Sequence, residues 1–297
     1  CLFCVCMKII MIGQKGILAI YGGIERHVEE LATELANNGH DVLVYNRQWY
    51  SSKNIAKLNN VKIIYTPSIH TKHLDAITHT FTSTIHALFQ KPDIIHYHGV
   101  GPSLLSWIPR IFLPSAKIIT TAHCLDRYHQ KWGWFARLIL RLGEWTAAKF
   151  AHKTIVVSKT MQSYYLNEFK KHAAYIPNGV RILDKQSPAI TITNKWNLQT
   201  NKYLLMVSRM VKHKGAHYLL TAWQFARQQY PRLLQDYKLV IVGGSNFTNK
   251  YFKNLKNIAH GDNSIIFTDW QSGQTLEELY ANAALFIHPS ENEGLPI

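Results

Sequence analysis

Two doubly wound α/β domains, joined near residue 180, are the fold class this sequence predicts. Val- and Ile-rich runs alternate with amphipathic stretches of helical length along the chain, the pattern of parallel sheets covered by helices on both faces. The alternation lapses after the turn "IPNGV" (176–180) into polar, low-order sequence to about residue 200, and then restarts. At 297 residues the chain is long enough for two domains with separate cores.

The elements follow in order. "KIIMIG" is a buried first strand. The next stretch, "GGIERHVEELATELANNGH", repeats Ile24, Val28, Leu31 and Leu35 at helical spacing, and Gly39 ends the helix. Then come "DVLVYN", "VKIIYT", a helix over 71–90, "DIIHYH", a helix from about Ser103, "KIITTAH", a helix over 131–150 and "KTIVVS". The second half repeats the scheme with "YLLMVS", a helix over 215–229, "KLVIVGG", a helix around 249–260, "SIIFT", the helix "TLEELYANA" and "ALFIH". No tandem repeat of solenoid length occurs. The predicted domains are 7–180 and 181–297, with 1–6 set aside. Met7 reads as a natural start, and "CLFCVC" before it reads as an upstream scar.

Composition narrows the function classes. Hydrophobic residues make up 47% and charged residues 17%, which is a folded globular chain. The net charge of +15 points to an anionic partner: nucleic acid, an acidic membrane surface or a phosphorylated small molecule. Between Ser103 and His172, eleven Lys and Arg face only Asp126, Glu144 and Glu168, so one basic surface is expected there, either functional or merely solvated. Once Cys1, Cys4 and Cys6 are set aside, Cys124 is a lone thiol, which fits a reducing cytoplasm. No apolar run approaches the roughly 18 residues of a membrane span.

Ligands of open parallel sheets gather at the carboxyl ends of the strands. Gly22-Gly23, His123, Arg209, Gly243-Gly244 and Glu293 all fall there, and a cleft between the two domains would collect them. Gly22 and Gly23 at a helix start can present N–H groups to an anion, although such a pair is also a common turn. The spacing is not the dinucleotide fingerprint, which disfavours a dehydrogenase. Arg209 and Lys214 in "SRMVKHKGAHYLL" suit a pyrophosphate, Arg as a fork of donors and Lys as a point charge. His123 stands at a strand end beside Asp126, where it can orient a sugar hydroxyl or serve the core. His96 and His98 could share a strand face, but no third ligand follows at metal spacing, so no metal is expected. Glu293 can hold sugar hydroxyls while the amides of Gly294 and Leu295 face a phosphate. Glu291 reads as a solvated neighbour.

Taken together, "KGILAIYGGIERHVEELATELANNGHDVLVY", "DIIHYHG", "TTAHCLDRYHQKWG", "IPNGV", "SRMVKHKGAHYLL" and "FIHPSENEGLPI" resemble family four of the glycosyltransferases in order and spacing, from about Met7 to Ile297. The resemblance implies a GT-B fold, two Rossmann-like domains facing across a cleft, with retaining transfer from nucleotide-sugar donors. The subgroup it is most similar to moves hexoses or deoxyhexoses such as rhamnose in building cell-surface polysaccharide.

By position, the resemblance implies that Arg209 and Lys214 stabilise the leaving diphosphate and that Gly22 and Gly23 close over it. His123 would contact the donor sugar, and Asp126 and Lys131 would face the acceptor. Asn178 and Gly179 would shape the hinge. Gly243 lies beside the donor, and Trp270 and Gln271 would approach the base, although the family commonly has Gly where Asp269 stands. Glu293 matches the first glutamate of the family's Glu-x7-Glu signature. The second would fall four residues past Ile297, so the chain is expected to be truncated and poor at binding donor. No Asp-x-Asp occurs, which implies no obligatory metal and no cofactor beyond the donor substrate.

The expected partners are a nucleotide sugar, a saccharide or lipid-linked acceptor and an anionic membrane surface, with no nucleic acid. The expected location is the cytoplasm, peripheral on the inner face of the membrane. "KWGWFARLILRLGEWTAAK" mixes Trp132, Trp134, Phe135 and Leu138 with Lys131, Arg137 and Arg141, as a helix lying on anionic lipid would. The preferred reading is simpler: its apolar side packs inside the first domain. Rival functions are a sugar-nucleotide epimerase or phosphorylase, for which no acid-base carboxylates or extra phosphate site are found, and a nucleic-acid-binding protein without a base-reading motif.

Overall fold

The computed structural model of the protein describes residues 6–19, 22–50, 55–71, 74–128, 132–179, 187–244, 249–291 and 293–295. The chain divides into two compact units, Cys1–Val180 with Glu293–Ile297, and Arg181–Asn292. Residues 293–297, which the sequence reading placed at the end of the second domain, thus group with the first unit.

The first unit is built on eight strands: β1 (Lys8–Ile12), β2 (Asp41–Arg47), β3 (Lys57–Leu58), β4 (Val61–Thr66), β5 (Ile94–His98), β6 (Lys117–Ala122), β7 (Lys153–Val156) and β8 (Ala174–Tyr175). Their order is β3-β4-β2-β1-β5-β6-β7-β8, and every pair is parallel except β3 with β4. The chain winds outward from β1 in both directions, so the topological switch point lies between β1 and β5, where doubly wound sheets open a ligand crevice. Central strands read as unbroken apolar runs because both faces are covered: Ile10, Met11, Val42, Val44, Ile95, Tyr97 and Ile118 have no exposed surface. The helix Gly23–Asn37 lays Val28 and Ala32 on Met11, Val42 and Val44.

Local chemistry sets the helix boundaries. Asp75 starts the helix Asp75–Leu88 and receives Arg47 Nη1 at 2.6 Å, Ser68 Oγ at 2.7 Å and Trp49 Nε1 at 3.0 Å. Burial alone would raise this carboxyl, but the bonds from Ser68 and Trp49 and the Arg47 charge outweigh it and hold Asp75 below its ordinary value. The single helix expected from Ser103 is instead two short ones, Val100–Ser103 and Trp107–Phe112. A continuous helix would need an N–H from Pro109, which has none, and Ile108 N instead donates to Leu105 O at 3.1 Å in a tighter turn. The helix Lys159–Phe169 opens on Ser158, whose Oγ accepts from Met161 N.

The helix Trp134–Lys149 corrects the preferred expectation for its apolar side. Its packed face is made of Gly143, Thr146, Ala147 and Ala148, whereas Trp134, Phe135, Leu138, Leu142 and Trp145 are exposed. Gly143 is required there by a close approach: a Cβ would stand 2.2 Å from the Val100 carbonyl oxygen.

The second unit holds β9 (Tyr203–Val207), β10 (Lys238–Val242), β11 (Ile265–Asp269) and β12 (Leu285–Phe286) in the all-parallel order β11-β10-β9-β12. Helices Ala216–Gln229 and Asn249–Ile258 cover one core, built on Met206, Leu220, Trp223, Leu239 and Leu255. Helix Gly273–Ala281 contributes Leu279 to the other, with Leu205 and Val240. The stretch expected to be low-order contains a helix, Ile190–Trp196, whose first N–H groups are met by buried Glu278: Thr191 N at 2.7 Å and Ile192 N at 3.2 Å. Among the described residues no helix is long and apolar enough to cross a membrane.

Candidate functional site

In the first unit the switch point gathers histidines. His98 ends β5, His123 follows β6, His96 lies two residues before His98, and His27 comes from the helix Gly23–Asn37. His98 Nδ1 and His123 Nε2 are 3.4 Å apart, and His96 Nε2 lies 2.7 Å from Thr121 Oγ1. The His27 ring meets His123 edge-on with centroids 4.8 Å apart, and the His96 and His98 rings are 4.0 Å apart. Burial, followed by the charge of neighbouring histidines, pushes His96 and His123 down to about 3 and His98 well below its ordinary value; burial also lowers His27. All four are therefore neutral imidazoles at neutral pH, each with one N–H to give and one lone pair to accept. His98 Nε2 is buried without a partner among the described residues.

Neutral imidazole is also a metal ligand, and atoms of His27, His98 and His123 lie within 4.8 Å of one another, close enough to share an ion. Spacing along the strand offers no third ligand for His96 and His98. The added rings come from other elements, His27 from 71 residues before His98 and His123 from 25 after it.

Around this cluster the predicted residues divide. Gly22 precedes the first helix at φ 102°, where its own Glu25 occupies the adjacent space and accepts from Lys15 N at 3.1 Å. Glu29 accepts from Ala19 N at 2.5 Å, so this loop is fastened to the start of the helix by two carboxylates. Gly23 opens that helix. Asp126 is half-buried in the short turn Asp126–Tyr128, and Lys131 lies outside the described residues. Gly294 fits against His123: a Cβ would stand 1.8 Å from the His123 carbonyl oxygen. Asn178 Nδ2 donates to Leu295 O at 2.7 Å, and Glu293 beside them is half-buried.

Glu144 anchors the turn that carries Asp126. It has no exposed surface, accepts from Tyr164 OH at 2.7 Å and pairs with Arg127 at 3.3 Å and Arg141 at 3.8 Å. Burial raises its carboxyl despite those partners.

In the second unit the strand ends are laced together. Ser208 N donates to Val242 O at 3.0 Å, Met210 N to Gly244 O at 3.0 Å and Gly243 N to Asp269 O at 2.9 Å. Arg209 stands exposed in this edge and Lys214 is half-buried at the end of the turn Lys212–Lys214. Gly243, Trp270 and Gln271 lie at the same end of the sheet, Trp270 exposed and Gln271 bonded to Thr268 O at 2.6 Å. Asp269 has φ 55°, the left-handed backbone that glycine adopts most cheaply, which accounts for the glycine expected at this place. His213 O accepts from Glu291 N at 2.9 Å and Ser290 Oγ at 3.1 Å, tying the cationic loop to residues 288–291. Glu291, read as a solvated neighbour, is exposed and accepts from Tyr218 OH at 3.2 Å. An apolar groove of about 500 Å³ lined in part by Pro67, Phe81 and Leu105 holds none of the predicted residues.

The family profile of Glycosyltransferase Family 4 matches residues 21–182, more than half the chain. The chain belongs to glycosyltransferase family 4. A second profile, Glycosyl transferases group 1, matches residues 190–297 of this family 4 chain. It is 24% identical over 316 aligned residues to an uncharacterized glycosyltransferase of Methanocaldococcus jannaschii, covering 98% of this chain and 76% of that protein. Among solved structures, Anabaena HepE in complex with UDP and glucose superposes with a TM-score of 0.72 at 18% identity, over 96% of this chain and 74% of HepE. Sucrose-phosphate synthase from Thermosynechococcus elongatus gives 0.75 at 19%, over 98% and 77%. WaaG, a glycosyltransferase involved in lipopolysaccharide biosynthesis, gives 0.69 at 17%, over 96% and 75%. The family 4 chain therefore has the GT-B fold that its sequence predicts, and it is a glycosyltransferase.

Proposed function

We propose that the protein transfers a hexose or deoxyhexose from a nucleoside-diphosphate sugar to an acceptor hydroxyl, with retention at the anomeric carbon, in cell-surface polysaccharide or glycolipid synthesis. The observation that carries this reading is the second unit's strand edge, where Arg209 and Lys214 stand in a loop bonded to the end of β10 and to Ser290 and Glu291. Cations fixed at the carboxyl edge of a parallel sheet suit a diphosphate that gains charge as it leaves.

The acceptor oxygen attacks on the face from which the diphosphate departs. The bond between the anomeric carbon and the phosphate oxygen breaks as the new glycosidic bond forms, and the acceptor's proton passes to the leaving phosphate oxygen. Arg209 and Lys214 stabilise that oxygen's charge. Gly243, Trp270 and Gln271 serve the nucleotide, Gly22 and Gly23 the phosphates, and Glu293, Gly294 and Leu295 the donor sugar. His123, a neutral imidazole, accepts from or donates to a sugar hydroxyl without adding a full charge beside the reacting carbon. Asp126 and Lys131 serve the acceptor. Positioning and preorganised charge supply the rate, and no metal or cofactor takes part.

The test is donor turnover by the protein, screened across UDP-, GDP- and dTDP-sugars with and without EDTA. Selective turnover that resists EDTA and disappears in Arg209→Ala is the expected result. Silence across all donors from a folded protein would overturn the reading, and loss of activity in EDTA would return the histidine cluster as a metal site.

A further inference from the structure

We propose that the outer faces of the helices Trp107–Phe112 and Trp134–Lys149 form a docking surface for anionic lipid. Trp134 is 79% exposed, Phe135 61% and Leu138 48%, with Leu142 and Trp145 also open to solvent. At about 100° per residue, Trp134, Leu138, Leu142 and Trp145 share one stripe of the helix, opposite the packed Gly143 and Ala147. The neighbouring helix, joined to it by Ser106 Oγ donating to Thr146 O at 3.5 Å, exposes Trp107, Ile111 and Phe112, the last at 66%.

The charge around this stripe is mostly positive, with Glu168 taken up by Arg141 at 2.6 Å. Arg110, Arg137 and Lys149 are exposed on the two helices, and their sole carboxylate, Glu144, is buried against Arg127, Arg141 and Tyr164. Three exposed tryptophans, an aliphatic stripe and a surplus of exposed cations are the chemistry of a helix lying in an anionic headgroup layer. The same charges disfavour a second copy of the chain, since a shared face would set like charges against each other. The helix has 16 residues and does not meet the requirement for a span, so it lies on the surface. This surface does not depend on the sugar-transfer reading, because its residues are not those assigned to the donor.

Co-sedimentation with vesicles tests it, without any nucleotide sugar present, so that its failure is separate from failure of the transfer reaction. Vesicles of phosphatidylcholine alone are compared with vesicles carrying about one third phosphatidylglycerol, at low and high salt. The protein is expected to bind the anionic vesicles and to retain part of that binding in high salt. Replacing Arg110, Arg137 and Lys149 by Gln should weaken binding about fivefold per cation. The variant Trp134→Ser, Phe135→Ser, Leu138→Ser should lose at least about tenfold, and its residual binding should vanish in high salt. An unchanged thermal midpoint confirms that either variant is folded. No binding by the unaltered protein, or equal binding by the apolar variant, overturns the proposal. Concentration-dependent dimers that the apolar variant abolishes would assign the face to a second copy and overturn it as well.

Discussion

His98 Nδ1 and His123 Nε2 stand 3.4 Å apart at the ends of adjacent parallel strands, in a setting that keeps both rings uncharged. The contact joins a residue expected to serve the donor sugar to one that sequence reading noted only as half of a strand pair. Such buried neutral histidines link stability to pH. His79 is held at about 4, and His96 and His123 at about 3, all by burial first. Each folded value lies below the roughly 6.5 of an unfolded histidine, so the contribution is complete above that pH and is lost as pH falls towards the folded values. Between about pH 6 and pH 4, stability should fall by roughly 1.4 kcal/mol per pH unit for each such group. Urea midpoints across that window check this, and a flat profile would contradict it.

Arg209→Ala should lower the rate of donor turnover by about 10²–10³, the cost of one preorganised donor to a developing anion. Its side chain is exposed, so the thermal midpoint should stay where it is. A fall in stability equal to the fall in rate would make Arg209 structural.

Gly143→Ala probes the seat of the helix Trp134–Lys149. The added Cβ would meet the Val100 carbonyl oxygen at 2.2 Å, and a backbone atom cannot step aside alone. The gain of about 1 kcal/mol in helix propensity is smaller than the overpacking cost, leaving a net loss of about 1–2 kcal/mol in denaturant unfolding. Equal or higher stability would mean that the two helices can separate freely.

Glu278→Ala should cost roughly 3 kcal/mol, because Thr191 N and Ile192 N lose a charged acceptor while remaining close to the core. Glu278→Gln keeps an acceptor oxygen and should cost less. Hydrogen exchange at the start of the helix Ile190–Trp196 provides the local readout, and unchanged protection there would refute the assignment.

What the sequence made legible follows the range of the forces involved. Strands such as "KIIMIG" and "KLVIV" were readable because their burial on both faces is written in consecutive residues. The helix Ile190–Trp196 was not, since it depends on Glu278, some 86 residues later. The outward stripe of Trp134 and Leu138 was visible as an amphipathic pattern, but amphipathicity alone pointed its apolar side at the core. The structure packs the small residues Gly143 and Ala147 instead. Arg209 and Gly243 fall just past strand ends and Lys214 just before the next helix, as expected, because loop position follows from strand position. The gathering of His27 with His98 and His123 could not be read from spacing, since three separate elements deliver them. Lys131 lies outside the described residues.

The close seating of Gly215 on Pro289, where a Cβ would come within 2.0 Å of the Pro289 carbonyl oxygen, joins two loops 74 residues apart. With His213 O accepting from both Ser290 and Glu291, residues 209–215 and 288–291 make one interlocked piece. For anyone grafting loops between relatives to alter donor choice, the transferable part is the matched pair. Importing either loop alone would set a foreign backbone against its old partner, and the graft would fail by mismatch before selectivity could be read.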